Sequence, residues 1–413
     1  MRSVQFQTRI MSSLGAFCAV MVGCVPIETP PDPMGGGDDP GYIGSAACLS
    51  CHPGLSESHE RHGHAQALTA IVGSAPVFPQ TELGDGTPNP PPNLQWADIA
   101  WVIGGYSTAA NFVDNDGFIL TDAATSKPVA SSVGRIHAAN STGFGLASVD
   151  FGGTPLAYDC FRCHITGGES FADNGGRRQE NRPGVGGTWA EAGVQCEACH
   201  GPGSAHVASP QAVGLEVDGS ATACAECHTR EVGADAIEVI DGFIASYQQA
   251  SELRASPHAN FGCTVCHDPH VSAIQERDRG IRNGCDVCHT ETNMARHMGK
   301  IFVQGDYVER MNCESCHMPL ASRNSLSADD SVTGGFGGKI GDVRTHVFSI
   351  DVVSRQFETL LTDAGDQVEL DADGRVSGIT LDFVCLRCHN DQGNAFMLTD
   401  ESAAGVAPGI HDF

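Results

Sequence analysis

The chain has 413 residues, with 50 Asp and Glu against 23 Lys and Arg and a formal net charge of −27 at pH 7. That balance argues against nucleic acid as a partner, because phosphate backbones are repelled by an acidic surface. A chain of this length ordinarily divides into two or three cores, yet only 6% of it is aromatic and 50 residues are glycine, which predicts many loops and little regular structure.

At the start, Arg2 and Arg9 precede an apolar stretch from Ile10 to Gly23. A charged region followed by a short apolar one has the form of a secretory signal. Ser12, Ser13 and Gly15 interrupt it, and it is too short for a membrane span. It ends Met21-Val22-Gly23-Cys24, which resembles a bacterial lipobox with Met in place of the usual Leu. Cys24 is therefore the lipidation candidate, and residues 1–24 read as signal peptide; plain secretion with cleavage near Cys24 is the alternative. Residues 25–41 are rich in Pro, Gly and Asp. They cannot build a core and read as a tether reaching roughly 20–25 Å. The expected location is the bacterial periplasm or the cell surface, with membrane contact through the lipid anchor.

Residues 42–159 open with Cys48-Leu-Ser-Cys51-His52, the first of eight Cys-x-x-Cys-His motifs. An insert follows. Residues 76–93 are Pro-rich and read as an extended loop, and Trp96–Gly105 and Asn111–Leu120 read as strands. Phe112-Val-Asp-Asn-Asp-Gly-Phe-Ile-Leu120 has two apolar runs around a turn signal, so it predicts a hairpin. Asp114-x-Asp116-Gly117 reads as a turn rather than a calcium loop, since no downstream Glu completes the ligand set.

Residues 160–320 hold six motifs, at Cys160/Cys163/His164, Cys196/Cys199/His200, Cys224/Cys227/His228, Cys263/Cys266/His267, Cys285/Cys288/His289 and Cys313/Cys316/His317. Their starts are 36, 28, 39, 22 and 28 residues apart, so little chain separates neighbours. Residues 321–413 carry the last motif, Cys385/Cys388/His389, preceded by Asp371-Ala-Asp373-Gly374 between apolar runs, where a second hairpin is expected.

The motif carries its own chemistry. Two cysteines three apart share one helical turn, so both thiols can add to one porphyrin edge, and the next residue is a histidine able to bind the iron. Zinc sites and redox dithiols need no histidine directly after the second cysteine. The motifs use 16 of the 18 cysteines, leaving only Cys18 and Cys24. Eight covalent c-type haems are expected, and haem plates replace much of the usual core. The predicted fold class is haem-organised and mostly irregular, with short α-helices and a few β-hairpins.

Besides the eight proximal histidines there are ten others: His59, His62, His64, His137, His206, His258, His270, His297, His346 and His411. Eight irons need at most eight of these, so two histidines on every iron are affordable. An iron with both axial positions filled relays electrons, whereas an open one can bind substrate.

Four stretches resemble the multihaem c-type cytochromes of the cytochrome c-554 kind and their octahaem relatives. They are Tyr42–His52 followed by His64-Ala-Gln-Ala-Leu68, Gly193–His206, Ser256-Pro-His258 leading to Gly262–His270, and Cys313–Pro319 with Thr345-His346-Val-Phe348. The Trp96–Leu120 segment also resembles the inserted region of extracellular relatives. The resemblance implies closely stacked haems acting as an electron relay. It nominates His64, His206, His258, His270 and His346 as distal ligands. His297 and His137 follow from position, with His411, His59, His62 or no histidine at all for the eighth.

Octahaem enzymes acting on nitrite, hydroxylamine or tetrathionate are the alternative, as is a filament-forming conductive cytochrome. The enzyme marks are a Cys-x-x-Cys-Lys motif, a tyrosine after the last motif, or a lysine on iron. The first two are absent from the sequence, and only Lys127, Lys300 and Lys339 are available for the third. The expected partners are other cytochromes and quinol-linked or terminal reductases.

Overall fold

The computed structural model describes residues 41–79, 86–87, 89–106, 109–131, 144–146, 155–215, 217, 220–230, 236–290, 296–305, 307–323 and 337–412. The expected signal peptide, most of the tether, Cys24 and His137 lie outside them.

Regular structure comes in short pieces, as the glycine content predicts. Among the described residues the α-helices run from four to eight residues, the longest being Pro53–Glu60. Each motif folds as a single turn. The backbone N–H groups of His52, His228, His267, His289 and His389 donate to the carbonyls of Cys48, Cys224, Cys263, Cys285 and Cys385 at 2.9–3.0 Å. Cys196–His200 and Cys313–His317 are complete short helices. The second starts from a reciprocal cap, in which Asn312 Oδ1 accepts the Ser315 N–H and Ser315 Oγ accepts the Asn312 N–H, both at 3.1 Å.

The insert forms a seven-stranded antiparallel sheet. Its strands are β1 (Leu68–Ala70), β2 (Ile99–Gly104), β3 (Ala110–Asp114), β4 (Phe118–Ile119), β5 (Val129–Ser131), β6 (Phe144–Leu146) and β7 (Leu156–Ala157). The order is β1-β2-β3-β4-β7, with β5 also on β3 and β6 on β5. The expected hairpin is β3–β4, registered at Val113↔Ile119. Its turn is closed by Asp114 Oδ1, which accepts the Asp116 and Phe118 N–H groups at 2.9 Å. Gly117 sits there at φ 91°, and a Cβ would lie 2.5 Å from Val185 Cγ2, so glycine is required. One expectation shifts: Trp96–Asp98 is a 3-10 turn, and the strand begins at Ile99. Asp98 Oδ2 accepts the Gln95 N–H at 2.8 Å, which turns the chain before pairing starts. Trp101, Tyr158 and Trp189 pack edge to face beneath the sheet, with centroids 5.4–5.8 Å apart.

A second core gathers Ile237, Phe243, Val347, Phe357, Ile379 and Phe383. Here the expected hairpin over residues 368–381 does not form. Asp371 Oδ1 does close a turn onto the Asp373 and Arg375 N–H groups at 2.9 Å. The flanks then part: the Val368 N–H donates to Ile237 and the Val376 N–H to Ala255. The reversal lies earlier, where Thr362 pairs with Gln367 and Glu369 with Leu360. Burial of Val368 and Val376 against separate segments of the core outweighs local pairing.

Asp382 is wholly buried in this core, 3.6 Å from Lys339 Nζ. Burial pushes its carboxyl above the usual range, opposed by Thr380, Lys339 and the Phe357 N–H. A raised carboxyl favours folding while protonated, and stability falls as pH climbs from the unfolded value through the folded one. Lys339 limits that fall by stabilising the charged form. Lys339→Met is therefore expected to cost about 1.5–3 kcal/mol at pH 7 and much less at pH 4, measured by thermal denaturation at both. Equal losses at the two pH values would contradict this pairing.

Candidate haem centres

A cavity of about 3310 Å³ runs between these elements, lined by motifs one to seven. A pocket for one small ligand measures roughly 300–1,000 Å³, so this space suits several large plates. Six motif histidines have a second imidazole facing them. His200 faces His270 and His228 faces His64, both at 6.1 Å between ring centroids. His267 faces His346 at 6.1 Å and His289 faces His258 at 6.0 Å. His317 faces His411 at 5.8 Å, and His389 faces His297 at 6.1 Å. An iron clamped between two imidazoles demands this spacing, because two metal–nitrogen bonds of about 2 Å and the half-rings behind them fill it. The donor set and the cavity fit haem.

The rings are held to present one nitrogen. Nδ1 of His164, His228, His317 and His389 bonds to Ala67 O, Gln249 Oε1, Phe348 O and Phe396 O at 2.8–2.9 Å, leaving Nε2 for metal. The backbone beside His346 is clamped by buried Glu252, whose Oε2 accepts the His346 N–H at 2.6 Å and the Thr345 hydroxyl at 2.5 Å. At four of the facing imidazoles burial favours the neutral, ligating form. It holds His64 well below its ordinary value and His346 at about 3, and it lowers His258 and His297.

The remaining histidines differ. His206 is on the helix Ser204–Ala208, with Nδ1 bonded to Val213 O at 2.6 Å. Ser204 in the same helix bonds to Gly41, on the segment leading into the first motif. His59 spends Nε2 on Val194 O at 3.0 Å. His62 stacks on His64 at 4.3 Å, and its Nδ1 accepts the His64 N–H. Among the described residues no imidazole faces His52 or His164 at the common spacing.

Thiols of different motifs also neighbour one another. Cys48 and Cys196, Cys163 and Cys227, Cys224 and Cys263, and Cys285 and Cys313 are within hydrogen-bonding reach. Cys199 lies near Cys224, Cys266 near Cys288, and Cys316 near Cys385. Burial, with these neighbours adding to it, pushes the Cys48 thiol up to about 11 and Cys385 up to about 12. The motifs thus form a row running first, third, fourth, fifth, sixth, seventh, eighth, with the second branching from the fourth. Chain order alone suggests a different succession. The strand pair Ile165–Thr166 and Glu191–Ala192 brings the chain entering the third motif back beside the end of the second, yet the Cys163 thiol of the second lies beside Cys227 of the fourth.

Of the lysines, Lys339 is engaged by Glu358 and Asp382 rather than by a motif. Arg387, Glu309 and Glu252 are site residues that motif reading passes over. Arg387 stands inside a motif, but nothing local shows that it is buried.

Residues 148–201 match the family described as cytochrome c554 and c-prime. That match covers a short part of the chain; seven Cys-x-x-Cys-His turns line the common cavity and six motif histidines have an imidazole at an iron-spanning distance, an arrangement suited to several c-type haems. Among the described residues the fold is mostly irregular, with short helices and short strands, as the sequence leads one to expect. No curated protein matches the chain. Among solved structures it is similar to an outer cell wall cytochrome, OcwA, at 16% identity, covering 75% of this chain and 80% of that one, with TM-score 0.44. It is also similar to the octaheme sulfite reductase MccA of Wolinella succinogenes, at 16% identity, 89% and 67% coverage and TM-score 0.48. An undecaheme cytochrome from the S-layer of Carboxydothermus ferrireducens gives 18% identity and TM-score 0.36; the chain covers 51% of its length, from 78% of its own. Among the described residues no helix is long and apolar enough to cross a membrane.

Proposed function

We propose that the chain carries eight haems and relays electrons through them, with two histidines on most irons. The single observation that carries this is the repetition of one imidazole spacing, 5.8–6.1 Å, at six motifs. The pairs are His200/His270, His228/His64, His267/His346, His289/His258, His317/His411 and His389/His297. His206 is assigned to the first iron, opposite His52, because its helix bonds to the segment entering that motif. His137 is the sequence candidate for the second. Haem iron supplies one-electron chemistry without a bound substrate when both axial positions are filled. The protein's part is to hold the imidazoles, exclude competing ligands and keep successive motifs adjacent. The signal-like residues 1–24 and Cys24 support a periplasmic or cell-surface location for this relay, where covalent haem attachment is expected.

A reductase is the second reading. It places its open iron at the second motif, which lies off the through-row and whose His164 has no facing imidazole among the described residues. Haemochrome assay together with electron paramagnetic resonance of the oxidised holoprotein separates the two. The relay predicts eight haems per chain and low-spin signals throughout. A stoichiometric high-spin haem that binds nitrite or hydroxylamine overturns it in favour of the reductase.

A further inference from the structure

The two ends of the row carry opposite fixed charge. At the first and third motifs stand two carboxylates. Glu197, between Cys196 and Cys199, is 3% exposed. It accepts the N–H groups of Ile43, Gly44 and Gly203 at 2.6–3.1 Å. Glu191 Oε2 accepts the N–H and hydroxyl of Ser45, which opens the helix bearing Cys48, at 3.0 and 2.9 Å. Among the described residues neither carboxylate has an ion-pair partner. The charge at this end is therefore negative and balanced only by backbone dipoles.

The seventh and eighth motifs have the reverse. Arg387, between Cys385 and Cys388, is wholly buried. Its Nη1 pairs with Glu309 at 2.6 Å, and its Nη2 donates to Ser315 O, inside the seventh motif, at 2.6 Å. The guanidinium thus bridges both motifs. Glu309 is shared with Arg344 at 3.1 Å, and Arg344 Nη1 also donates to Glu314 O and Met318 O. Glu314 is paired with Arg277 and lies 4.0 Å from Arg344. In the interior Arg387 and Arg344 thus share Glu309, while Arg277 is balanced by Glu314 and neighboured by Asp278, and Asp400 acts on Cys385 less than Arg387 does, so the buried charge between the two motifs is positive.

An oxidised haem carries one more positive charge than a reduced one. A nearby cation therefore favours the reduced form and a nearby anion the oxidised form, most strongly where water is excluded. We propose that Glu197 and Glu191 hold the first and third haems at low potential, and that the Arg387–Arg344 cluster holds the seventh and eighth at high potential. Electrons then run from the N-terminal end of the row to the C-terminal end. This rests on the relay reading above and adds its direction.

The test is potentiometric titration of the holoprotein, followed by the Soret and α bands, for the wild type and three variants. Glu197→Gln is expected to shift the low-potential limb upward and leave the high-potential limb in place. Glu309→Gln is expected to shift the high-potential limb upward, because it removes a balancing anion. A double Glu309→Met, Arg387→Met variant, which removes one charge of each sign, is expected to leave both limbs near their wild-type positions. Unshifted limbs in both Gln variants, or a Glu197→Gln shift confined to the high-potential limb, overturn the inference. If eight low-spin haems are retained throughout, the relay reading stands even then. A wild type without that haem count and spin state sinks the relay reading itself.

Discussion

His64→Ala is expected to convert one low-spin haem to high-spin while the haem count stays unchanged. His64 comes from the segment after the first motif, yet it faces His228 of the fourth at 6.1 Å, so its loss removes an axial ligand without touching a thioether. The fourth motif is the node of the row, with Cys224 near Cys199 and Cys263 and Cys227 near Cys163. Reduction of the fifth to eighth haems from the first should therefore slow by at least about tenfold, equivalent to ~1.4 kcal/mol on the barrier. Among the described residues the adjacent His62 is the one ring placed to substitute. Its ring sits 4.3 Å from that of His64 and its Nδ1 accepts the His64 backbone N–H, so the measurement is made in a His62→Ala background, where Nε2 of His62 is removed as well. Electron paramagnetic resonance and stopped-flow reduction check both effects. His59→Ala is the control: its Nε2 already bonds to Val194 O, so the spectrum should not change. A low-spin His64→Ala protein would remove His64 from the ligand set.

Glu309→Ala is expected to destabilise the holoprotein by about 3–5 kcal/mol, because it leaves Arg387 charged and uncompensated in the interior. Glu309 is 6% exposed and Arg387 is not exposed at all. Burial alone would raise the Glu309 carboxyl. Arg387, by charge and hydrogen bond, and Arg344 beside it hold the carboxyl well below the usual range instead. Replacing both partners with Met should cost far less than either single loss, since a buried pair exchanged for apolar side chains of similar volume is often neutral or stabilising. Urea denaturation followed by far-UV circular dichroism gives both numbers. A double variant as unstable as Glu309→Ala would show that the network holds the hairpin Ile301–Gln304/Tyr307–Arg310 by shape rather than by charge balance.

Much of the candidate site could be read locally. A five-residue motif contains both thioether positions and the proximal histidine, and the single turn it forms depends on bonds within those five residues. The β3–β4 turn was equally legible, because Asp114 and Gly117 supply its closure from inside the turn. The same signal misled at Asp371–Gly374. That turn forms, but Val368 and Val376 are drawn to different parts of a distant core, and no local pattern reports such competition. Arg387 shows the same limit, since a charged residue between two cysteines reads as surface until Glu309 and Ser315 are brought to it.

By itself the sequence supplied the expected cofactor class, the Cys-x-x-Cys-His motifs and the number of histidines available, because each is read from residues adjacent in the chain or from their count. Only the tertiary structure decided which histidine faces which, how the second motif departs from the row, and where opposite charges accumulate. His411 reaches the seventh motif and His64 the fourth through contacts between segments far apart in the chain. Such pairings are selected by burial of the whole chain around one shared cavity, so no local stretch can encode them.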